Sequence, residues 1–134
     1  MDDKIVLSPT SPDVTRFDRW AGTYEQSFLQ RWYFDPVHSK MLDLLARAGP
    51  KNPPSCILDV GCSTGRLLRA ASARWPAARL MGVDPAPRMV AEAQRLAPNA
   101  VFEIATAEAL PFPDQSADLV LSSLSFSRNA PVVA

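Results

Sequence analysis

Two carboxylates and two glycines are spaced as in a small-molecule binding site. Asp59 closes a short apolar segment and precedes Gly61 and Gly65. Asp84 closes the next apolar segment. Glycine permits the sharp turns and close backbone approach that a ligand loop needs. A carboxylate at a strand end can accept hydrogen bonds from both ribose hydroxyls, and one just before the loop favours a ligand with a cationic amine or a sulfonium. We therefore expect a cofactor site where these segments end.

The common phosphate-binding patterns do not match this loop. A dinucleotide loop needs glycine at its first, third and sixth positions, which here hold Gly61, Ser63 and Arg66. A nucleoside triphosphate loop needs Lys and then Ser or Thr after its last glycine, but Gly65 is followed by Arg66 and Leu67. Both of these ligand classes are excluded by the pattern.

The elements that position these residues follow from apolar periodicity and from glycine and proline breaks. An α/β fold is predicted, with a Rossmann-like, doubly wound parallel sheet, because strands alternate with helices. The predicted strands cover residues 56–60, 79–84, 101–105 and 117–124, and the predicted helices between them cover residues 66–74 and 87–96.

The N-terminal third reads as a separate helical region. One short helix is predicted over residues 12–20, a second over residues 23–32, and a third that begins at Asp35-Pro36 and ends at Gly49-Pro50. The third carries an apolar stripe that we expect to lie on the sheet, formed by Val37, Met41, Leu44, Leu45 and Ala48.

Composition narrows the classes of function. The 134 residues carry 14 basic and 14 acidic side chains, so the net charge is zero and neither nucleic acid nor an anionic membrane is an expected partner. Neither a signal peptide nor a membrane-spanning run is evident, and we expect a cytoplasmic protein. Cys56 and Cys62 are expected to be reduced thiols with no metal site, and His38 a structural or solvated residue.

The ordered motifs resemble class I S-adenosylmethionine-dependent methyltransferases, most closely the ubiquinone/menaquinone-biosynthesis-like branch (methyltransferase type 11). Phe17-Asp18-x-x-Ala21-x-x-Tyr24 resembles the family's N-terminal helical cap, and the segment Leu58 to Gly65 resembles its first motif. Val83-Asp84-Pro85 with Met89 resembles the second. Residues 106–112 resemble the adenine-edge loop, and residues 118–122 resemble the strand that approaches the donor methyl group.

This resemblance implies S-adenosylmethionine as cofactor and in-line transfer of its methyl group to an O, N or C atom of a small-molecule acceptor. It places Asp84 on the ribose, Met89 beside adenine and Thr106 to Glu108 at the adenine edge, and it names no catalytic residue. The implied cofactor contacts are Tyr24, Asp59, Gly61, Cys62, Ser63, Gly65, Asp84, Pro85, Met89, Thr106, Ala107, Glu108 and Ser122.

Three features depart from the family pattern. Ser63 replaces the middle glycine of the loop, and Thr106 replaces a frequent aspartate. The segment from Phe126 onward does not resemble the usual continuation, so we expect a truncation or an altered reading frame near Ser127. The fold then corresponds to the N-terminal half of the family's fold, and the fourth strand is left with an open edge that favours a homodimer.

These motifs divide the chain into a flexible tail (1–11), a helical cap (12–50), an S-adenosylmethionine-binding half-domain (51–126) and an atypical tail (127–134). Two further functional interpretations stay open beside the methyltransferase. One is a non-catalytic cofactor-binding remnant, and the other is an α/β interaction module whose loop binds nothing.

Overall fold

The computed structural model describes residues 28–49 and 52–123, and also Thr15 and Arg19, which are both helical. Several expectations therefore lie outside the described residues. These are the tail 1–11, most of the first predicted helix, the site residue Tyr24 and the tail 127–134.

Three helices and four strands make up the described part of the chain. The helices are α1 (Phe28–Ala48), α2 (Arg66–Arg74) and α3 (Pro87–Leu96), and the strands are β1 (Cys56–Val60), β2 (Arg79–Asp84), β3 (Val101–Ile104) and β4 (Leu119–Leu121). The predicted bounds of β1, α2, β2 and α3 are confirmed, and β3 ends one residue earlier than predicted.

The predicted span of β4 was too long, because side chains take over the hydrogen bonding at both of its ends. The Asp118 carboxylate accepts the N–H groups of Ser55 and Cys56, both at 2.8 Å, where a longer strand would continue the ladder. Beyond Leu121, the Ser122 hydroxyl donates to the Val60 carbonyl at 3.0 Å. The strand is therefore confined to Leu119–Leu121.

All strand pairs in the sheet are parallel, and the strand order is β3-β2-β1-β4. The chain moves from β1 outward through β2 to β3, and then returns to place β4 on the opposite side of β1. This reversal confirms the doubly wound α/β fold, and it creates a topological switch point between β1 and β4 where such sheets bind ligands. β4 forms one edge of the sheet in the described residues.

The two faces of the sheet have separate apolar layers because strand side chains alternate. One face packs against the helices and contains Ile57, Phe102 and Leu121 from the strands, Leu67, Leu68 and Ala71 from α2, Val90 and Ala93 from α3, and Leu42 from α1. The other contains Cys56, Leu58, Met81 and Val83, with Phe112 and Ala117 of the β3–β4 connection packed on it.

The α1 helix corrects two predictions. A new helix beginning at Asp35-Pro36 was wrong, because Pro36 lies inside one continuous helix. An interior proline costs about 3 kcal/mol, but α1 is held on both sides of Pro36. Asp35 pairs with Arg66 of α2 at 3.0 Å, and the buried Leu42 belongs to the same apolar layer as α2.

No helix in the described part of the chain is both long and apolar enough to cross a membrane.

The apolar stripe predicted for this region was also wrong in part. Leu44 is 57% exposed and Val37 is 38% exposed, whereas Leu42 is buried. The buried face instead combines His38 and Leu42 with Met41 and Leu45 at its margin. The prediction assumed that α1 packs directly on the sheet. In the structure α1 packs chiefly on α2, so a different side of the helix is buried.

Phe102 of β3 holds the loop after β1 close to the sheet. A Cβ atom added to Gly82 in β2 would lie 2.7 Å from the Phe102 ring, which is too close for any side chain. The same ring lies 3.2 Å from the position a Cβ would take on Gly65. The ring therefore fills the space that these two glycines leave, and it fixes the distance between loop and sheet.

Candidate functional site

The candidate site lies at the carboxyl ends of β1 and β4, at the switch point of the sheet. The loop after β1 forms its floor, and α1 covers it from the side with Phe34 and His38. Together they enclose a cavity of about 30 Å³, which we call the loop cavity, lined by Phe34, His38, Asp59, Gly61, Cys62, Ser63, Thr64, Arg66, Leu67 and Ser123.

The loop turns through three left-handed residues. Gly61 and Gly65 have φ angles of 76° and 79°, and Ser63 between them has a φ of 50°. Glycine adopts such angles without penalty, while a residue with a side chain loses about 1–2 kcal/mol. The serine that replaces the usual glycine at position 63 is therefore strained. The left-handed backbone there explains why the family favours glycine.

Backbone N–H groups of the loop are engaged within the protein. Gly61 and Cys62 both donate to the Val83 carbonyl, at 2.8 and 2.9 Å. The N–H of Ser63 donates to Asp84 Oδ2 at 2.9 Å. A phosphate-binding loop points such N–H groups at its ligand, so these bonds support the exclusion of phosphate ligands and leave the loop clamped to the end of β2.

Asp59 carries a buried carboxylate that lacks a complete set of partners. Asp59 is 2% exposed and lines the loop cavity, and its Oδ1 atom has no hydrogen-bond partner. Burial raises the pKa of Asp59 to about 8, and the neighbouring Asp84 carboxylate adds to the rise. Such a group is protonated at neutral pH until a cation or a donor pairs with it.

Asp84 connects the loop to the turn that begins α3. It is 8% exposed, and its Oδ1 atom accepts the N–H of Ala86 at 2.9 Å while Oδ2 accepts that of Ser63. Ala86, not Asp84, is the N-cap residue of α3. Asp84 therefore holds two backbone segments together, and its expected ribose contact stays a prediction.

The structure brings together part of the predicted contact set. Asp59, Gly61, Cys62 and Ser63 line the loop cavity, Gly65 ends the loop, and Asp84 joins them through Ser63. The Cys62 thiol is buried, and burial with the two nearby carboxylates raises its pKa well above the ordinary value. Its thiol is therefore unreactive, as expected, and Cys56 is also buried and unpaired.

The remaining predicted residues lie elsewhere. Met89 is only 1% exposed, so its side chain is a core residue in this structure. Ala107 and Glu108 line a separate cavity of about 380 Å³ on the other face of the sheet. Pro85 and Thr106 are half-buried at the ends of β2 and β3, and Ser122 is exposed with its hydroxyl on Val60.

Four polar residues that line the loop cavity are absent from the predicted contact set, namely His38, Thr64, Arg66 and Ser123. His38 is buried, not solvated, because its phase on α1 places it one turn before Leu42. Ser123 follows Ser122, and successive residues of an extended segment face opposite ways. That alternation was the available signal for Ser123. In the described residues, no group of three or more His, Cys, Asp or Glu side chains is arranged to hold a metal ion.

Comparison with known proteins gives one family and several relatives. A family described as "Methyltransferase domain" matches residues 57–132, more than half of the chain. Trans-aconitate 2-methyltransferase of Escherichia coli O1:K1 is 38% identical over 84 residues, which are 63% of this chain and 32% of that protein. The chain thus spans about a third of this relative.

Solved structures agree on the fold. The YcgJ protein of Bacillus subtilis superposes with a TM-score of 0.55 at 30% identity, covering 66% of this chain and 39% of that one. The plantazolicin methyltransferase BpumL, solved with SAH, gives a TM-score of 0.60 at 24% identity over 87% of this chain and 44% of that one. The specific ubiquinone/menaquinone-like branch stays a prediction. The chain belongs to the methyltransferase domain family, which confirms its resemblance to the class I S-adenosylmethionine-dependent methyltransferases.

Proposed function

We propose that this chain carries the donor site of an S-adenosylmethionine-dependent methyltransferase with a small-molecule acceptor. The observation that carries the proposal is the unpartnered Oδ1 atom of Asp59, buried beside a loop whose N–H groups at Gly61, Cys62 and Ser63 are already engaged. The site thus offers a buried carboxyl group that a cationic ligand would ionise, where a phosphate site would offer N–H donors.

The chemistry of the site fits this cofactor. S-adenosylmethionine carries an ammonium group and a sulfonium, and when bound it supplies an electrophilic methyl group. An ammonium that donates to Asp59 Oδ1 satisfies the buried atom and favours the ionised carboxylate, which opposes the rise in pKa that burial and Asp84 cause. We assign Asp59 to the ammonium end for this reason.

The other assignments follow the order of the loop and strands. We place the ribose at Asp84, and the adenine along the ends of β2 and β3 near Pro85, Met89 and the segment Thr106 to Glu108. Adenine contact with Met89 requires a side-chain movement, since Met89 is 1% exposed. The residues bind and orient the donor, and methyl transfer by in-line displacement needs no covalent intermediate.

A small-molecule acceptor is supported by the relatives. The trans-aconitate 2-methyltransferase of Escherichia coli is named for a small carboxylic acid. We infer an acceptor of that size for this chain, methylated at O, N or C. We also expect a cytoplasmic location, and homodimer contact through the β4 edge, where Val120 is 59% exposed. Sedimentation of the full chain and of Val120→Lys tests the dimer, which the charged side chain should dissociate.

The deciding experiment is calorimetric titration of the full chain with S-adenosylhomocysteine. Binding supports a cofactor site, and no heat at millimolar ligand leaves only the interaction-module interpretation. Asp84→Asn should weaken binding at least tenfold, since bonds to a charged acceptor contribute about 1.5–3 kcal/mol. The matched control is Asp43→Asn, a carboxylate of α1 that pairs with Arg74 and lines neither the loop cavity nor the cavity beside Glu108, which should leave the affinity unchanged.

Transfer of a labelled methyl group to a panel of small carboxylic acids, phenols and amines then distinguishes an enzyme from a binding remnant. Labelled product from any acceptor supports the methyltransferase. Tight cofactor binding with no product across the panel favours the non-catalytic remnant.

A further inference from the structure

Three residues that line the loop cavity each carry a buried polar atom without a hydrogen-bond partner. These atoms are His38 Nδ1 from α1, Asp59 Oδ1 from β1 and Ser123 Oγ after β4. His38 is 7% exposed and Asp59 is 2% exposed. An unsatisfied buried polar atom costs about 1–3 kcal/mol, and native structures contain few of them. Three such atoms around one cavity indicate a place built for a polar ligand.

The size of the cavity restricts what occupies it. A water molecule needs about 10–15 Å³ of such space, so about 30 Å³ accommodates two waters or the polar end of a longer molecule. The three atoms come from three separate elements. A ligand with two polar groups on one carbon atom can reach a donor and an acceptor there at the same time.

His38 is held as a neutral donor at this place. The Phe34 ring packs against its imidazole, with ring centroids 5.9 Å apart. Burial lowers the pKa of His38, Asp35 opposes that shift and Arg66 adds to it. Asp35 and Arg66 pair with each other at 3.0 Å, which limits the net charge beside the ring. Neutral imidazole has one N–H, and a carboxylate is its natural acceptor.

We propose that His38 contacts the amino-acid end of the donor, with its Nδ1–H donating to the ligand carboxylate while Asp59 Oδ1 accepts from the ligand ammonium. This assignment rests on the proposed donor site and adds a ligand contact from α1. It also gives α1 a role in the affinity of the site, because the helix brings His38 to the loop.

The test compares two ligands that differ only at this end. S-adenosylhomocysteine has the amino-acid group, and 5′-methylthioadenosine replaces it with a methyl group. We expect His38→Phe to weaken S-adenosylhomocysteine at least tenfold and to leave methylthioadenosine within twofold. His38→Asn, whose amide takes the place of Nδ1, should retain more affinity than His38→Gln, whose amide takes the place of Nε2.

Unchanged methylthioadenosine binding also reports that each variant is folded. Ser39→Ala is the matched control, since Ser39 is exposed, lies next to His38 on α1 and does not line the loop cavity. The inference is overturned if His38→Phe weakens both ligands equally, if it weakens neither, or if Gln restores binding better than Asn. If the unaltered chain binds neither ligand, the proposed donor site itself is rejected. Equal affinity of the unaltered chain for both ligands rejects the contacts of His38 and Asp59 with the amino-acid end and leaves the rest of the donor site standing.

Discussion

Replacing Asp59 with asparagine should stabilise the fold at alkaline pH and weaken the donor site. In the folded chain this carboxyl group is 2% exposed, its Oδ1 atom has no partner, and the carboxylate of Asp84 lies close enough to disfavour its ionisation. Ionisation of Asp59 therefore lowers the stability of the unliganded fold. Asparagine has nearly the same shape and cannot ionise.

The magnitude follows from the pKa of Asp59, which rises from an ordinary 3.8 to about 8. Because the folded-state value is the higher one, the protonated carboxyl favours folding fully below pH 3.8, and that stability is lost as the pH rises to about 8. About four pH units at 1.36 kcal/mol each give a loss of ~6 kcal/mol. The asparagine amide loses ~1–3 kcal/mol through its own unmet hydrogen bonds. We expect Asp59→Asn to match the unaltered chain near pH 5 and to exceed it by ~3 kcal/mol at pH 8.

Urea unfolding at pH 5 and pH 8 measures this difference, with Asp114→Asn as the exposed control. The reasoning is refuted if Asp59→Asn destabilises the chain equally at both pH values. It is also refuted if the unaltered chain gains stability relative to the variant between pH 5 and pH 8.

The same substitution has a binding consequence of opposite sign. A ligand ammonium pairs with ionised Asp59, so binding below pH 8 releases its proton and the affinity for S-adenosylhomocysteine should rise up to tenfold per unit between pH 6 and pH 7. Asp59→Asn should bind it more weakly and without that rise. Methylthioadenosine, which lacks the ammonium, should show no such dependence in either protein.

Three further substitutions test other parts of the structure. Ser63→Gly removes the side chain from a residue with a φ of 50° and should raise the free energy of unfolding by ~0.5–1 kcal/mol in urea titrations. A lower free energy of unfolding in the variant would contradict the strain at Ser63. Gly82→Ala places a Cβ 2.7 Å from the Phe102 ring and should lower the free energy of unfolding by ~1–3 kcal/mol. The double variant Gly82→Ala/Phe102→Leu should lose less stability than the sum of the two single variants. Asp118→Asn should destabilise the chain at neutral pH, because two backbone N–H groups hold the pKa of Asp118 below its ordinary value. That difference should vanish in acid as the carboxyl protonates in both states, and its persistence at low pH would argue for a packing effect.

The sequence alone predicted the elements between Cys56 and Leu96 to the residue, because local signals define each of their ends. Gly61 and Gly65 bracket the loop, and Pro76, Pro87 and Pro98 lie just outside or at the ends of helices and strands. With the ends fixed in this way, the apolar periodicity between them fits few alternative assignments of helix and strand. The sequence also predicted a ligand site at the carboxyl end of β1, where the loop cavity lies, and that site stays a prediction.

The errors occurred where distant contacts decide. Pro36 is a strong local signal for a helix start. The continuous helix instead packs on α2 through contacts such as that of Asp35 with Arg66, which is 31 positions away in sequence. The strand β4 is shortened by Asp118, which bonds to residues more than 60 positions earlier. His38 was assigned no ligand role because its burial depends on the packing of α1 against α2, which the wrong apolar stripe did not predict.

The unliganded site combines several separate costs that one ligand can remove. Asp59 is buried beside a second carboxylate, Ser63 is left-handed, and polar atoms of His38 and Ser123 have no partners. A core of this size would be more stable with apolar residues at these places. Their presence together is explained if a zwitterionic ligand satisfies the polar atoms and supplies the missing positive charge. On this argument, saturating S-adenosylhomocysteine should raise the melting temperature more at pH 8 than at pH 5, because the ionised Asp59 that it pairs with is then the larger cost. An equal shift at both pH values would mean that the ligand gains its affinity elsewhere in the site.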